Sequence, residues 1–235
     1  MRLLLSTRCY QNLTLTTTKH VRFLSTQGNP LDDTPTWKKF PDGSRFWKNK
    51  GDGRVQRPIF VAATRQHVGK TTTSLALMSG LQKRYQKVGF LKPVGQQHVS
   101  VKSDNQNQEI RVDKDVCLVR EHFHLDHIDY EHMSPVIIPA GYTKRYVDGE
   151  ISLDQQLNDV VDAMTHISEA SDVVLCEGTG HCAVGSIVGV NNAKVASMIG
   201  ADMVLVANGG LGSAVRIERV WWLERDSFDA NFFIV

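Results

Sequence analysis

Residues 58–73 read PIFVAATRQHVGKTTT, and few folds accommodate that order of an apolar run, a glycine and lysine, and then hydroxyl side chains. Ile59, Phe60, Val61, Ala62 and Ala63 suit a central parallel strand covered on both faces. Val68, Gly69, Lys70, Thr71 and Thr72 follow, ahead of a stretch with helical spacing. A turn of this kind directs backbone N–H groups at a phosphate, with the positive end of the next helix behind them. Gly69 allows close approach, Lys70 reaches the β- and γ-phosphates as a point charge, and the Thr71 hydroxyl is placed to ligate Mg²⁺. The usual first glycine is absent, since Ala63 and Thr64 occupy the two candidate positions. A strand-turn-helix without a ligand is the plainer alternative, but the apolar strand before the triplet and the helix after it favour a nucleotide site.

The flanking pattern alternates strands with helices. Residues 88–91 form a second short apolar strand that ends in Lys92-Pro93-Val94-Gly95, which leaves Lys92 at the carboxyl edge of a sheet. Residues 152–168 predict a helix with a Ser152/Gln155 capping box and an apolar face of Leu153, Leu157, Val160, Val161, Met164 and Ile167. Residues 172–177 read as a strand breaking into Gly178-Thr179-Gly180. A helix over 191–199 and a strand over 203–207 follow, then a glycine-rich loop at 209–214. Residues 113–123 fit a short helix, 96–111 a mobile polar loop, 134–139 an extended segment and 141–149 a polar loop. The fold expected is α/β, a mostly parallel sheet with helices on both faces.

The formal charge is +2, from 27 Lys and Arg against 25 Asp and Glu. Residues 1–31 hold Arg2, Arg8, Lys19 and Arg22 and no acid, so without those four the balance is 23 basic against 25 acidic residues. The basic excess belongs to this stretch and gives no argument for nucleic acid. Its Ser, Thr and Arg content predicts a transit peptide over 1–31 and delivery to the mitochondrial matrix. Residues 32–57 read as a linker or extended arm, with Trp37, Phe40, Phe46 and Trp47 available to pack on the domain or on a partner. Residues 58–235 form the expected nucleotide-binding domain. No apolar run reaches the length needed to cross a bilayer, so no membrane partner is expected. The four cysteines, at 9, 117, 176 and 182, form no framework and read as reduced. The run 121–129 holds His122, His124, His127 and two aspartates, but no second copy completes a metal site and a polar surface is the better reading.

Three stretches taken in order, Gly69-Lys70-Thr71, Lys92-Pro93-Val94 and Val173-Val174-Leu175-Cys176-Glu177-Gly178, resemble the dethiobiotin synthetase family. Its relatives include the amidating cobyrinic acid synthases and the N-terminal domain of long-form phosphotransacetylases, whose loop form is nearest to residues 63–68. The resemblance covers about residues 58–214 and implies a P-loop NTPase fold that binds ATP with Mg²⁺. On it, Lys70 matches the phosphate-binding lysine and Lys92 the lysine neutralising charge on the transferring phosphate, the two expected catalytic groups. Thr71, Glu177 and an acid opening the helix after the polar loop match the metal ligands, with Asp115 fitting better than Asp113. Plainer roles exist for each: a solvated strand-end lysine for Lys92, a helix-cap acid for Glu177, a first-turn acid for Asp115.

Two function classes follow from the resemblance. The first is a Mg²⁺-dependent ATP-binding domain with a regulatory role. The second is a carboxylate-activating ligase of the dethiobiotin synthetase type, acting on a small carboxylate or amine. The small hydroxyl residue those enzymes carry shortly after Lys-Pro-Val is replaced here by Gly95-Gln96-Gln97, which favours the first. A scaffold built on the aromatic arm is the third class, and homodimerisation stays open. After Ala214 the sequence leaves the family pattern, with Trp221, Trp222, Phe228, Phe232 and Phe233 in an unfamiliar tail, and a truncated or mis-spliced product is expected.

Overall fold

The computed structural model describes residues 43–105, 108–180 and 185–208, together with the backbone of 232–234. A short 3₁₀ turn, Ser44–Phe46, opens the described chain. Next come β1 (Lys48–Asn49) and β2 (Val55–Gln56), an antiparallel pair. This part of the polar stretch 32–57 lies against the domain. Phe46 is 3% exposed within the core, and Trp47 Nε1 donates to the Gly200 carbonyl at 2.9 Å.

The central elements are β3 (Ile59–Ala63), α1 (Lys70–Gln82) and β4 (Val88–Leu91). β5 (Val94–Gly95), β6 (His98–Lys102), β7 (Glu109–Asp113), α2 (Lys114–Phe123), α3 (Tyr130–Met133), β8 (Val136–Ile137) and α4 (Tyr142–Val147) form the long excursion that follows. The chain returns through α5 (Leu153–Ala170), β9 (Val173–Glu177), α6 (Asn192–Met198), β10 (Asp202–Val206) and β11 (Phe232–Ile234).

Five of these strands make one sheet in the order β11-β10-β3-β9-β4, and every pairing is parallel. Successive side chains of a strand point to opposite faces. Since all five residues of β9 and all four of β4 are buried, both faces of the sheet are covered. Helices α1 and α5 both pack on this sheet. α5 does so because its apolar positions recur at helical spacing, burying Leu157, Val160, Val161, Met164 and Ile167. Its first turn is closed by Ser152, whose hydroxyl accepts from the Gln155 amide at 3.0 Å. In α1 Met78 is fully buried, whereas Leu75 and Leu81 are partly covered, as is Tyr85 beyond its end.

Two segments differ from the sequence reading. The polar stretch expected as a loop holds two paired antiparallel strands, β6 and β7, in register from His98 opposite Asp113 to Lys102 opposite Glu109. Asp104, just beyond β6, is pinned, because it accepts from Arg120 Nη2 at 2.9 Å and from the Tyr130 amide at 2.8 Å. Residues 141–149 contain α4, a helix too short to leave an apolar period in the sequence. The run 121–129 has two faces. Leu125 and Ile128 are buried, while His124 closes α2 in a left-handed conformation with φ 53°.

Cys176 is buried in β9 and Cys117 half-buried in α2, both as free thiols, and burial pushes the Cys176 thiol up. Among the described residues no helix is long and apolar enough to cross a membrane. The glycine-rich loop at 209–214 and the aromatic residues Trp221, Trp222 and Phe228 lie outside the described residues. Phe232 and Phe233 fall in β11, whose backbone extends the sheet beside β10.

Candidate functional site

The site lies at the carboxyl edge of the parallel sheet, where open α/β sheets bind ligands. β3 ends at Ala63, and the Thr64 amide still donates to the Val206 carbonyl at 3.1 Å, so the loop leaves from a fixed point between β3 and β10. It then turns sharply. His67 has φ 60° and Gly69 has φ 97°, a backbone that a side chain at 69 would strain. Gly69 is the N-cap of α1 and offers no side chain to cap it, which leaves the first amides of the helix for another acceptor. Val68 turns its side chain to the core, while Gly69, Lys70, Thr71 and Thr72 line a cavity of about 330 Å³.

Three charged side chains converge under this loop although little of them reaches water. Lys70 is 8% exposed, Lys92 5% and Glu177 0%. β9 pairs with β3 so that Glu177 stands opposite Val61, and Lys92 follows directly from β4 on the other side of β9. Glu177 Oε1 accepts from Lys70 Nζ, from Lys92 Nζ at 2.9 Å and from Thr71 Oγ1 at 3.3 Å. Lys92 Nζ also donates to Asp115 Oδ2 and lies 3.7 Å from Asp113 Oδ1.

The electrostatics follow from this crowding. Burial acts against the charge of Glu177, but Lys92 and Lys70 outweigh it and hold the carboxyl down at about 2. Burial likewise acts against Lys92, yet Glu177, Asp113 and Asp115 together push its ammonium up. Lys70 has fewer acidic neighbours, so burial prevails, Lys92 adds to it, and its pKa falls.

The structure thus brings together Lys70, Thr71, Lys92, Asp115 and Glu177, as the sequence expects. It separates Asp113 from Asp115 in role. Asp113 is the N-cap of α2, with its side chain taken up by backbone amides, whereas Asp115 in the first turn faces Lys92. The oxygen donors Thr71, Asp115 and Glu177 suit a hard cation such as Mg²⁺, which is commonly held by one or two carboxylates together with waters and phosphate oxygens. Glu177 Oε2 fits that use, since it is buried and makes no hydrogen bond. Among the described residues no group of three or more His, Cys, Asp or Glu could hold a metal on its own.

The cavity wall also includes residues that motif reasoning passed over. Arg65, Gln66, Gln96, Gln97, Lys114 and Thr179 line it. Arg65 Nε donates to Asn208 Oδ1 at 2.9 Å, tying the loop to the end of β10. The Thr179 amide donates to Asn192 Oδ1 at 2.9 Å, which anchors the turn after Glu177 on α6. In the sequence Thr179 lies in the Gly178-Thr179-Gly180 break, Gln96 and Gln97 follow Gly95, and Arg65 and Gln66 belong to the 63–68 loop, but none of these patterns assigned them to a cavity wall.

The family model described as AAA domain matches residues 57–221. Among curated proteins, the chain is similar to phosphate acetyltransferase of Nitrosomonas europaea, 31% identical over 64% of this chain and 19% of that protein. It is similar to phosphate acetyltransferase of Deinococcus radiodurans at 30% identity, over 65% of this chain and 19% of that protein. It is also similar to ATP-dependent dethiobiotin synthetase BioD of Xanthomonas axonopodis pv. citri, 24% identical over 67% of this chain and 68% of that protein. The aligned part of the chain thus spans 19% of the length of these two phosphate acetyltransferases.

Proposed function

The chain belongs to the AAA domain family, whose model it matches over residues 57–221, and on that premise we propose that it is a Mg²⁺-dependent ATP-binding domain with a regulatory role. The observation that carries this reading is the convergence of buried Lys70 and Lys92 on Glu177, directly beneath a loop whose helix amides have no side-chain cap. Two ammonium groups and a row of N–H donors offer a polyanion what it needs at one spot.

Lys70 and the α1 amides would hold the terminal phosphates, and Lys92 would neutralise the charge furthest from the loop. Thr71, Asp115 and Glu177 would hold Mg²⁺, which would offset the negative charge of the phosphates. In the ligand-free site the same carboxylates neutralise the two lysines, so a triphosphate without its cation meets opposing negative charge. Calorimetry with ATP in the presence and absence of Mg²⁺, on the wild type and on Lys70→Ala, tests the reading. We expect Mg²⁺-dependent binding that the variant loses; equal affinity in the two proteins would remove the loop as the site.

The similarity to a dethiobiotin synthetase along 68% of its length supports a second reading, a ligase that activates a small carboxylate for attack by an amine. The Gly95-Gln96-Gln97 stretch, in place of the small hydroxyl residue of those enzymes, favours the first reading, and a Cβ at residue 95 would stand 2.8 Å from both Asp113 Cβ and Asp113 Oδ2, so that a side chain there would require a shift. For location, the acid-free composition of residues 1–31 supports a mitochondrial matrix protein.

A further inference from the structure

Asp113 ends β7 and caps α2, and its side chain is 3% exposed. One carboxylate there serves three parts of the cavity wall. Its Oδ1 accepts from the Asp115 amide at 3.0 Å, which fixes the first turn of α2 and with it the carboxylate of Asp115. Its Oδ2 accepts from the amides of Gln96 at 3.0 Å and Gln97 at 3.4 Å, which fixes the loop after β5. Oδ1 also lies 3.7 Å from Lys92 Nζ.

The surroundings are built to keep this carboxylate in place. The Asp113 amide donates to Ser134 Oγ at 3.0 Å, so the residue is anchored from behind. The Lys114 amide donates to the Gln97 carbonyl at 2.7 Å, a second link between α2 and the same loop. Gly95 leaves the room the side chain needs, since a Cβ at 95 would stand 2.8 Å from Asp113 Cβ and Oδ2 and from Ile137 Cδ1, so that one of these would have to shift.

We propose that Asp113, itself part of the cavity wall, is the positioning residue of this cavity, setting Asp115, Lys92 and the Gln96–Gln97 loop against one another. The proposal rests on the nucleotide reading above only for what the positioned groups hold. A buried carboxylate accepting three backbone amides holds them in one arrangement, and its removal takes from each donor the shared partner that fixes it.

Two measurements test it. The first needs no ligand: amide hydrogen exchange in wild type, Asp113→Ala and Gly95→Ala. In Asp113→Ala the amides of Gln96, Gln97 and Asp115 should exchange about tenfold faster or more, while those of β3 and β9 keep their protection. Gly95→Ala retains the carboxylate and displaces it, so the same three amides should respond, which preserves the test if Asp113→Ala fails to fold.

The second measurement is the gain in ATP affinity on adding Mg²⁺. Misplacing Asp115 should reduce that gain about tenfold, in Gly95→Ala, which keeps every charge, as in Asp113→Ala, a change in Mg²⁺ dependence that a mere loss of stability does not produce. Unchanged exchange at the three amides overturns the proposal, as does an unchanged Mg²⁺ gain in variants that bind ATP. A wild-type protein that binds no ATP instead counts against the nucleotide reading, and exchange alone then decides the role of Asp113.

Discussion

Lys70 and Lys92 share Glu177 but are not equivalent. Lys70 is held by that one carboxylate, whereas Lys92 stands among Glu177, Asp115 and Asp113. Removing Lys70 leaves Glu177 paired with Lys92, so Lys70→Ala should lose ligand affinity with little loss of stability. Removing Lys92 strands buried carboxylates, and Lys92→Ala should cost about 3–5 kcal/mol, read as a fall in denaturation midpoint; equal midpoints for the two variants would contradict this ranking. The acid limb of stability gives a related prediction. Glu177 has a folded pKa of about 2 against about 4.3 unfolded, so its contribution is complete above the unfolded value and disappears as pH falls through the folded one. Melting temperatures between those two pH values should therefore drop more steeply for wild type than for Glu177→Gln; parallel curves would show that Glu177 is not held ionised. At this scale the sequence exposed the groups whose chemistry is fixed by charge: Lys70, Thr71, Lys92 and Glu177. Arg65, Gln96 and Gln97 stood out only as members of the stretches 63–68 and 95–97, and their place in the cavity wall comes from what the fold sets beside them.

At the scale of elements, legibility followed burial. α5 could be read closely because a long helix on a sheet needs one apolar stripe, and its Ser152 cap and buried Leu157, Val160 and Met164 are local signals. The β6–β7 pair could not, since its strands are mostly exposed and held largely by backbone pairing, with Asp104 beyond β6 held by Arg120 and Tyr130 from elsewhere in the chain. The same contrast orders two substitutions in α5. Ser152→Ala removes one capping bond and should cost about 1 kcal/mol. Leu157→Ala opens a cavity beside the sheet and should cost about 2–5 kcal/mol. Urea titrations of both variants check the order, and a cap variant as damaging as the core variant would mean that α5 depends on its first turn more than on its packing.

For the whole molecule, the site comes from strands far apart in sequence that the parallel order brings to one edge: β3 leads into the loop, β4 into Lys92 and β9 into Glu177. Strand-helix alternation made that edge readable in advance, whereas the walls beyond the phosphates depend on the excursion between β4 and α5, where the sequence reading was weakest. That division bears on chemistry. The phosphate side holds two lysines, a hydroxyl and two carboxylates in mutual contact, while on the opposite wall Gly95 is packed against Asp113 and the Gln96 and Gln97 amides are already occupied. A second substrate would find those two backbone amides already taken, and orientation is a large part of what a ligase must supply. We therefore expect Mg²⁺-dependent ATP binding with hydrolysis near background and no substantial joining of carbon dioxide to 7,8-diaminopelargonate. The assay is product formation at saturating ATP, bicarbonate and diamine, beside a Glu177→Gln control. Turnover of about 1 per second or faster, abolished in the control, would replace the regulatory reading with that of a dethiobiotin synthetase.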